Sequence, residues 1–362
     1  MSRLGGDEFA LLLPNWSMEK AEHLASSLLS AIREANLGQY SSRELSASVG
    51  IAFVRDSRTT VSDALACADD ACYAAKACGR NRFSVFSEQS TLTAMSLNSA
   101  RLASDTLDAL DDGRMSLFGQ EIHSLRKPSD QCRYVEVLSR LIGRDGHPIA
   151  PREFIPAAER FGTASQLDRW VIKTALTRFS SAINSTSGLT LAFNLSAQTV
   201  SDPKLWDFVD TLIDETGALH SNMVFEITET AAVTNFEAAE NFIQNARARR
   251  CRVSLDDFGA KMSSFQYLRR FPIDNVKIDG SFVANMFENR FDREIVAAIN
   301  GVAKALGYRV VAENIEQEKT LSILKEMGVD YGQGYLLHTP EPLANIISRN
   351  VKQHATEQSS SK

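Results

Sequence analysis

Short apolar runs alternate with longer stretches of helical periodicity along almost the whole chain, and that alternation predicts most of its elements. Residues 9–13 form an apolar run entered straight from Gly5-Gly6 and stopped by Pro14, which predicts a buried strand after a tight turn, with little strand ahead of the turn. An amphipathic helix over 18–34, an alternating strand over 46–54, a second helix over 61–77 and a short strand over 82–86 follow; together they make half of an α/β domain. Residues 87–112 are polar, lack Pro and Gly, and carry Met95, Leu97, Leu102, Leu107 and Leu110 at helical spacing, which predicts a linker helix that Gly113 ends. Such a helix either packs on one neighbour or acts as a stiff relay between domains, and both readings fit the pattern.

Beyond Gly113 the alternation repeats. Strands are predicted over 115–118, 134–140, 190–195, 224–227, 252–255, 275–278, 309–311 and 331–337. Eight strands with helices between them in about 230 residues match the size and repeat of a (β/α)8 barrel. The expected organisation is a partial α/β domain over 1–86, a linker helix over 87–112, a barrel over 113–350 and a disordered tail over 351–362, where Ser359-Ser360-Ser361 closes the chain.

With 362 residues there is enough chain for two domains with a core each. Apolar residues at 44%, charged residues at 23%, and only 9 prolines and 19 glycines exclude collagen-like and low-complexity classes. Lys and Arg number 39 against 45 Asp and Glu, a net charge of -6, which argues against broad binding to nucleic acid or an anionic bilayer. A small anionic ligand held through metal ions stays open. The five cysteines are odd in number and form no C-x-x-C pair, so neither a disulfide framework nor a zinc ribbon is expected, and a reducing cytoplasm fits. The sequence has no signal-peptide pattern and no apolar run long enough to span a bilayer, so any membrane tether is expected only from a region ahead of Met1.

A regularity appears in the polar residues at the predicted strand ends: Glu136, Asn194, Glu226, Asp256 with Asp257, Lys277, Glu313 and Gln333. In a barrel these ends share one face, the face where barrel enzymes carry their chemistry. Carboxylates gathered there repel one another unless they take up protons or cations neutralise them, so the set asks for divalent metal. Oxygen ligands without nearby His or Cys suit Mg²⁺ or Mn²⁺ rather than zinc. The adjacent pair Asp256 and Asp257 would face opposite ways in a regular strand, but a backbone turn at the strand end into Phe258-Gly259 can bring both to one side. A two-metal site with a lysine beside it suits in-line hydrolysis of a phosphodiester. Any single acid here, such as Asp279 before a helix, reads as a helix cap before it reads as a ligand; the convergence of the whole set argues for metal.

In order and spacing, Glu136-Val137-Leu138-Ser139-Arg140, Asn194-Leu195-Ser196, Glu226-Ile227-Thr228-Glu229, Asp256-Asp257-Phe258-Gly259, Lys277-Ile278-Asp279, Glu313-Asn314-Ile315-Glu316 and Gln333-Gly334-Tyr335 resemble the EAL-domain phosphodiesterases. The resemblance implies a modified (β/α)8 TIM-type barrel with an antiparallel first strand that hydrolyses cyclic di-GMP to linear pGpG with two Mg²⁺ or Mn²⁺ ions. It implies metal ligation by Glu136, Asn194, Glu226 and Asp256 at one ion, and by Asp256, Asp257 and Glu313 at the other. It gives catalytic roles to Lys277, Glu313 and Glu229, and substrate binding to Gln120, Arg140, Asp279 and Gln333. A homodimer through the EAL domain and a cytoplasmic, bacterial setting are implied as well.

Two positions depart from that family. Ala260-Lys261-Met262 stands where Thr-Gly-Tyr is usual, in the loop that Glu229 holds; the change removes a glycine and a hydroxyl partner. Glu121 stands where Pro is usual, and strand alternation turns it outward, opposite Gln120. The altered loop keeps a second reading open, a catalytically impaired domain that acts as a cyclic di-GMP receptor or protein-interaction module.

The segment ahead of the barrel carries Arg3-Leu4-Gly5-Gly6-Asp7-Glu8-Phe9, Ser48-Val49-Gly50 and Ala75-Lys76-Ala77-Cys78-Gly79-Arg80-Asn81-Arg82, and resembles the C-terminal half of a GGDEF diguanylate cyclase domain. In that family Gly5 and Gly6 form the turn beside the nucleotide and Glu8 helps bind metal. The family's first metal-binding Asp and its guanine-recognising residues precede this motif, so cyclase activity is not expected of this chain; a fragment of a longer GGDEF-EAL protein, a misplaced start codon or a trimmed chain would each explain their absence.

Overall fold

The computed structural model describes residues 2–5, 8–34, 46–54, 60–77, 81–126, 134–185, 189–259 and 267–360, and the chain divides into two compact units, Met1–Leu102 and Ala103–Lys362. In the first, β1 (Ser2–Gly5) and β2 (Glu8–Ala10) form an antiparallel hairpin with Arg3 opposite Phe9. Helix α1 (Met18–Glu34), β3 (Val49–Ile51), α2 (Val61–Ala77) and β4 (Phe83–Val85) follow, and β3 pairs β4 in parallel. Helix α2 lies directly on the backbone of β3: a Cβ on Gly50 would meet the Ala68 carbonyl at 1.9 Å and the Cys72 amide at 2.3 Å. The strand expected over 9–13 stops at Ala10, beyond which Leu12 is 88% exposed, and the strand before the turn is four residues rather than nearly absent. Helix α3 (Glu88–Asp111) runs from this unit into the next, and Gly113 follows it at a φ of 78°, the left-handed position that stops a helix.

The second unit continues with β5 (Met115–Ser124), β6 (Tyr134–Ile142), β7 (Pro148–Ile149), α4 (Pro151–Arg160), α5 (Ala164–Ser185), β8 (Thr190–Leu195), α6 (Ala197–Val200), α7 (Leu205–Thr216) and β9 (Met223–Thr228). Then come α8 (Glu229–Thr234), α9 (Phe236–Ala248), β10 (Arg252–Phe258), β11 (Asn275–Ile278), α10 (Gly280–Asn285), α11 (Arg290–Ala305), β12 (Arg309–Ala312), α12 (Glu318–Glu326), β13 (Tyr331–Gly332), β14 (Glu341–Pro342) and α13 (Leu343–Ser360). Strands β6, β8, β9, β10, β11, β12 and β13 pair in parallel in that order, and β5 closes the ring, antiparallel to β13 on one side and β6 on the other. This is an eight-stranded TIM-type barrel with its first strand reversed. The strands are buried on both faces, so they read as apolar runs rather than as alternation: β8 is Thr-Leu-Ala-Phe-Asn-Leu and β9 is Met-Val-Phe-Glu-Ile-Thr.

Several boundaries differ from the sequence pattern: β3 covers only 49–51 of the strand expected over 46–54, β5 runs to Ser124 rather than stopping at 118, and β10 runs to Phe258 rather than 255. The strand expected over 331–337 ends at Gly332, because the amides of Leu337 and His338 turn back to the Gly334 carbonyl. The tail expected to be disordered over 351–362 is helical to Ser360, as α13 meets no Pro or Gly that would stop it. No described helix is long and apolar enough to cross a membrane.

The units differ in how much apolar side chain they bury. Among the described residues up to 86, the buried apolar side chains are Ala21, Ala25, Leu29, Ala71, Ala74 and Ala75, nearly all alanine, whereas the barrel buries Phe154, Phe193, Phe225, Phe258 and Phe271 among many others. Burial stabilises in proportion to apolar area, so the first unit should open first. Limited proteolysis is expected to remove residues ahead of Glu88 and leave a resistant fragment holding the barrel, identified by mass spectrometry. First cleavage between β8 and β12 would contradict this.

Candidate functional site

The site grows out of the strand period. One layer of the barrel interior is packed by Ile122, Tyr134, Ala192, Val224 and Val311, with Tyr331 against them. Side chains two residues further towards the mouth point the same way, and those residues are Gln120, Glu136, Asn194, Glu226, Glu313 and Gln333; Asp256 and Lys277 stand in the same relation to the buried Ser254 and Asn275. A polar layer therefore sits on an apolar floor.

Lys277 is the centre of that layer. Its ammonium is 1% exposed and lies 2.8 Å from Glu226 Oε2, 2.8 Å from Glu313 Oε1, 3.2 Å from Asp256 Oδ1 and 3.8 Å from Glu136 Oε2. Amides complete the ring: Asn194 Nδ2 donates to Glu136 Oε1 at 2.6 Å, Gln333 Nε2 to Glu136 Oε2 at 2.5 Å and to Gln120 Oε1 at 3.1 Å, and Gln120 Nε2 to the His338 carbonyl at 2.8 Å. Gln333 Oε1 is buried and has no partner among the described residues.

Two left-handed residues aim the outer acids. Asp257 has a φ of 53° at a register shift between β10 and β11, so the chain turns within the pair and Asp257 shares the mouth with Asp256. Asn314, at a φ of 55°, turns the chain straight after Glu313. Asp and Asn tolerate this conformation better than other non-glycine residues. Oxygens of Asp256, Asp257 and Glu313 all come within 4.8 Å of one another. Gly334 fixes Gln333, since a Cβ there would lie 2.2 Å from the Ile315 nitrogen.

The charges do not balance. Burial would push Lys277 down, but the carboxylates of Asp256, Glu136, Glu226 and Glu313 hold it well above its ordinary value, so it stays an ammonium. Burial pushes Glu226 up to about 8 and Glu313 well up despite Lys277. Asp257, on the rim, is pushed up to about 6, first by loss of water and then by the Asp256 and Asp279 carboxylates. Glu136 is held below the usual carboxylate range; burial opposes this, and Lys277, Gln333 and Asn194 outweigh it. One ammonium among five acids leaves unmet negative charge in an all-oxygen donor set, which fits divalent cations of the hard class.

The other expected residues take separate places. Arg140 lies two steps beyond Glu136 with its guanidinium 5.4 Å from the centre of the Phe118 ring, at the mouth but outside the carboxylate cluster. Asp279 is the N-cap of α10 and accepts from the Ser281 amide at 2.8 Å. Buried Glu229 accepts from the Gly259 amide at 3.0 Å, holding the entry to the altered loop; Ala260, Lys261 and Met262 themselves lie outside the described residues, as do Gly6 and Asp7 of the first unit. Glu121 faces outward to Arg349 at 2.9 Å. Sequence reasoning missed two residues. Asp168 on α5 is half-buried and accepts from Ser196 N, Ser196 Oγ and Thr199 Oγ1 at 2.8, 2.7 and 2.6 Å, pinning the turn after Asn194. Tyr134 donates to Glu226 Oε1 at 3.0 Å. Only the two-residue step from Tyr134 to Glu136 could have signalled the second, and nothing in the spacing signals the first.

Residues 103–340 match the EAL domain family and residues 1–82 match the diguanylate cyclase, GGDEF domain family. The chain is 30% identical over 350 residues to the cyclic di-GMP phosphodiesterase PdeB of Shewanella oneidensis, covering 96% of this chain and 41% of that protein. It is also 30% identical over 349 residues to the bifunctional diguanylate cyclase/cyclic di-GMP phosphodiesterase MucR of Pseudomonas aeruginosa, covering 96% and 50%. The chain thus spans about two fifths to one half of the curated relatives it matches. Among solved structures, the PaMucR phosphodiesterase in complex with c-di-GMP matches with a TM-score of 0.63 at 29% identity, covering 68% of this chain and 99% of that one. The EAL domain of FimX from Pseudomonas aeruginosa bound to c-di-GMP matches with a TM-score of 0.62 at 26% identity, covering 67% and 96%.

The raised carboxylates set a pH dependence. With folded values of about 6 for Asp257 and about 8 for Glu226, above the ordinary value of about 4, the folded protein binds protons more tightly than the unfolded chain. That contribution is complete below the ordinary value and is lost as pH climbs through about 6 and then about 8. The thermal midpoint of the chelator-treated protein should fall as pH is raised over that window, and Mn²⁺ should raise it more at the alkaline end. Scanning calorimetry checks both; a midpoint that climbs with pH would contradict the charge imbalance.

Proposed function

Because the chain belongs to the EAL-domain family, with part of a GGDEF domain ahead of the barrel, we propose that it hydrolyses cyclic di-GMP to linear pGpG. The observation that carries this reading is the buried Lys277 ammonium surrounded by Glu136, Glu226, Asp256 and Glu313, a complete set of oxygen donors at the mouth of a barrel. Glu136, Asn194, Glu226 and Asp256 would hold one Mg²⁺ or Mn²⁺ ion, and Asp256, Asp257 and Glu313 a second. Such ions, when bound, neutralise the acids and stabilise the oxygens that attack and leave the phosphorus.

The chain's own residues do the rest. Lys277 keeps its proton and acts as a donor that orients the attacking water at the centre of the acids. Arg140, whose guanidinium fork suits a phosphate, meets the anionic substrate at the mouth. Gln120 and Gln333, tied to each other and to Glu136, present amides to the bound nucleotide. Glu229 fixes the Gly259 amide and so the start of the loop that follows the Asp pair.

A second reading, cyclic di-GMP binding without turnover, draws on the sequence Ala260-Lys261-Met262 that follows Gly259 and on the FimX EAL domain, which was solved bound to c-di-GMP. Product analysis separates the two. Purified protein given cyclic di-GMP and Mn²⁺ is expected to yield linear pGpG. Lys277→Ala should then lower kcat by about 10²–10⁴-fold with a smaller change in KM. Tight binding of cyclic di-GMP with no pGpG from the parent protein would establish the receptor reading instead.

A further inference from the structure

Beneath the acids, the phenol of Tyr134 has no part in the assignments above. The residue is 3% exposed and lies on β6 among Ile122, Ala192, Val224 and Val311, edge-on to Tyr331 with ring centres 6.2 Å apart. Its hydroxyl reaches Glu226 Oε1 at 3.0 Å, although β8 runs between β6 and β9. The crossing works because the inward residue of β8 at this level is Ala192, in register with Glu136 on one side and Val224 on the other. A methyl group leaves room for the ring to pass. The other oxygen of Glu226, Oε2, accepts from Lys277 Nζ at 2.8 Å. One donor on each oxygen fixes the plane of the carboxylate.

We infer that Tyr134 is a positioning residue that presets Glu226 for a divalent cation; the inference rests on the metal-site reading above. A ligand held by an outer hydrogen bond does not have to be ordered when the ion arrives, and such partners are worth about 10–100-fold in metal affinity. Tyr134→Phe removes the hydroxyl and keeps the ring that packs on Tyr331. Mn²⁺ added to chelator-stripped protein, with free Mn²⁺ followed by electron paramagnetic resonance, is expected to show an affinity about tenfold weaker in this variant. Saturating Mn²⁺ should return its kcat to the parent value. In a Glu226→Gln background, removal of the hydroxyl should add almost nothing, because Tyr134 acts through Glu226. Equal Mn²⁺ affinity in the parent and Tyr134→Phe, or a full tenfold loss in the Glu226→Gln background, would overturn the inference. If Tyr134→Phe does not fold, Ala192→Val, which crowds the ring away from Glu226 and keeps the phenol, should show the same loss, and unchanged affinity there counts against the inference. No Mn²⁺ binding by the parent protein would overturn the metal-site reading first and this inference with it.

Discussion

Carboxylates repel one another, and at the head of this barrel four of them lie 2.8 to 3.8 Å from a single buried ammonium, Lys277. Burying an ion is costly, and the cost is met only when its partners and their remaining lone pairs are satisfied. The neighbouring groups serve that end: Asn194 and Gln333 donate to Glu136, Tyr134 donates to Glu226, and Gln120 ties Gln333 to the His338 carbonyl. Even so, one positive charge cannot answer five acids. The residue of negative charge is what gives the site its demand for cations.

Placing that many acids at one mouth takes backbone geometry as well as composition. A closed barrel brings its strand ends to one rim, and a two-residue period lifts each polar side chain one step above an apolar one. The period breaks at the Asp256-Asp257 pair and after Glu313, where left-handed residues turn the chain. These two turns, at Asp257 and Asn314, bring Asp257 and Glu313 within reach of Asp256. Strain at such positions is expected where geometry serves a site. The close approach of Gly334 to the Ile315 backbone fixes the remaining amide, Gln333, in the same way.

Much of this was legible before any coordinates. Helices 18–34 and 61–77 have the bounds that their periodicity predicts, because the amphipathic stripe is interrupted at both ends by polar or glycine-bearing sequence. The apolar pattern predicts a strand over 331–337, but Leu336 and Leu337 belong to a turn closed on Gly334 and the strand ends at Gly332. The polar composition of the tail predicts disorder, whereas α13 carries its helix through to Ser360. Asp279 shows why residue type alone is ambiguous: the same carboxylate that a motif places near a substrate is engaged as a helix cap.

The sequence by itself determined the eight-strand repeat, the identities of the acids at the strand ends and the oxygen-only chemistry of the site, because period, residue type and motif spacing are local properties. Only the tertiary structure decided which of those residues share a hydrogen bond. That Lys277 meets Glu226 and Glu313 equally, that Arg140 stands apart over Phe118, and that Tyr134 reaches Glu226 past Ala192 all depend on strands brought together across long stretches of chain. Asp168 is the clearest case. A carboxylate on a helix carries no local sign that it will accept three hydrogen bonds from the turn after Asn194, and that partnership exists only once the helix packs against the barrel.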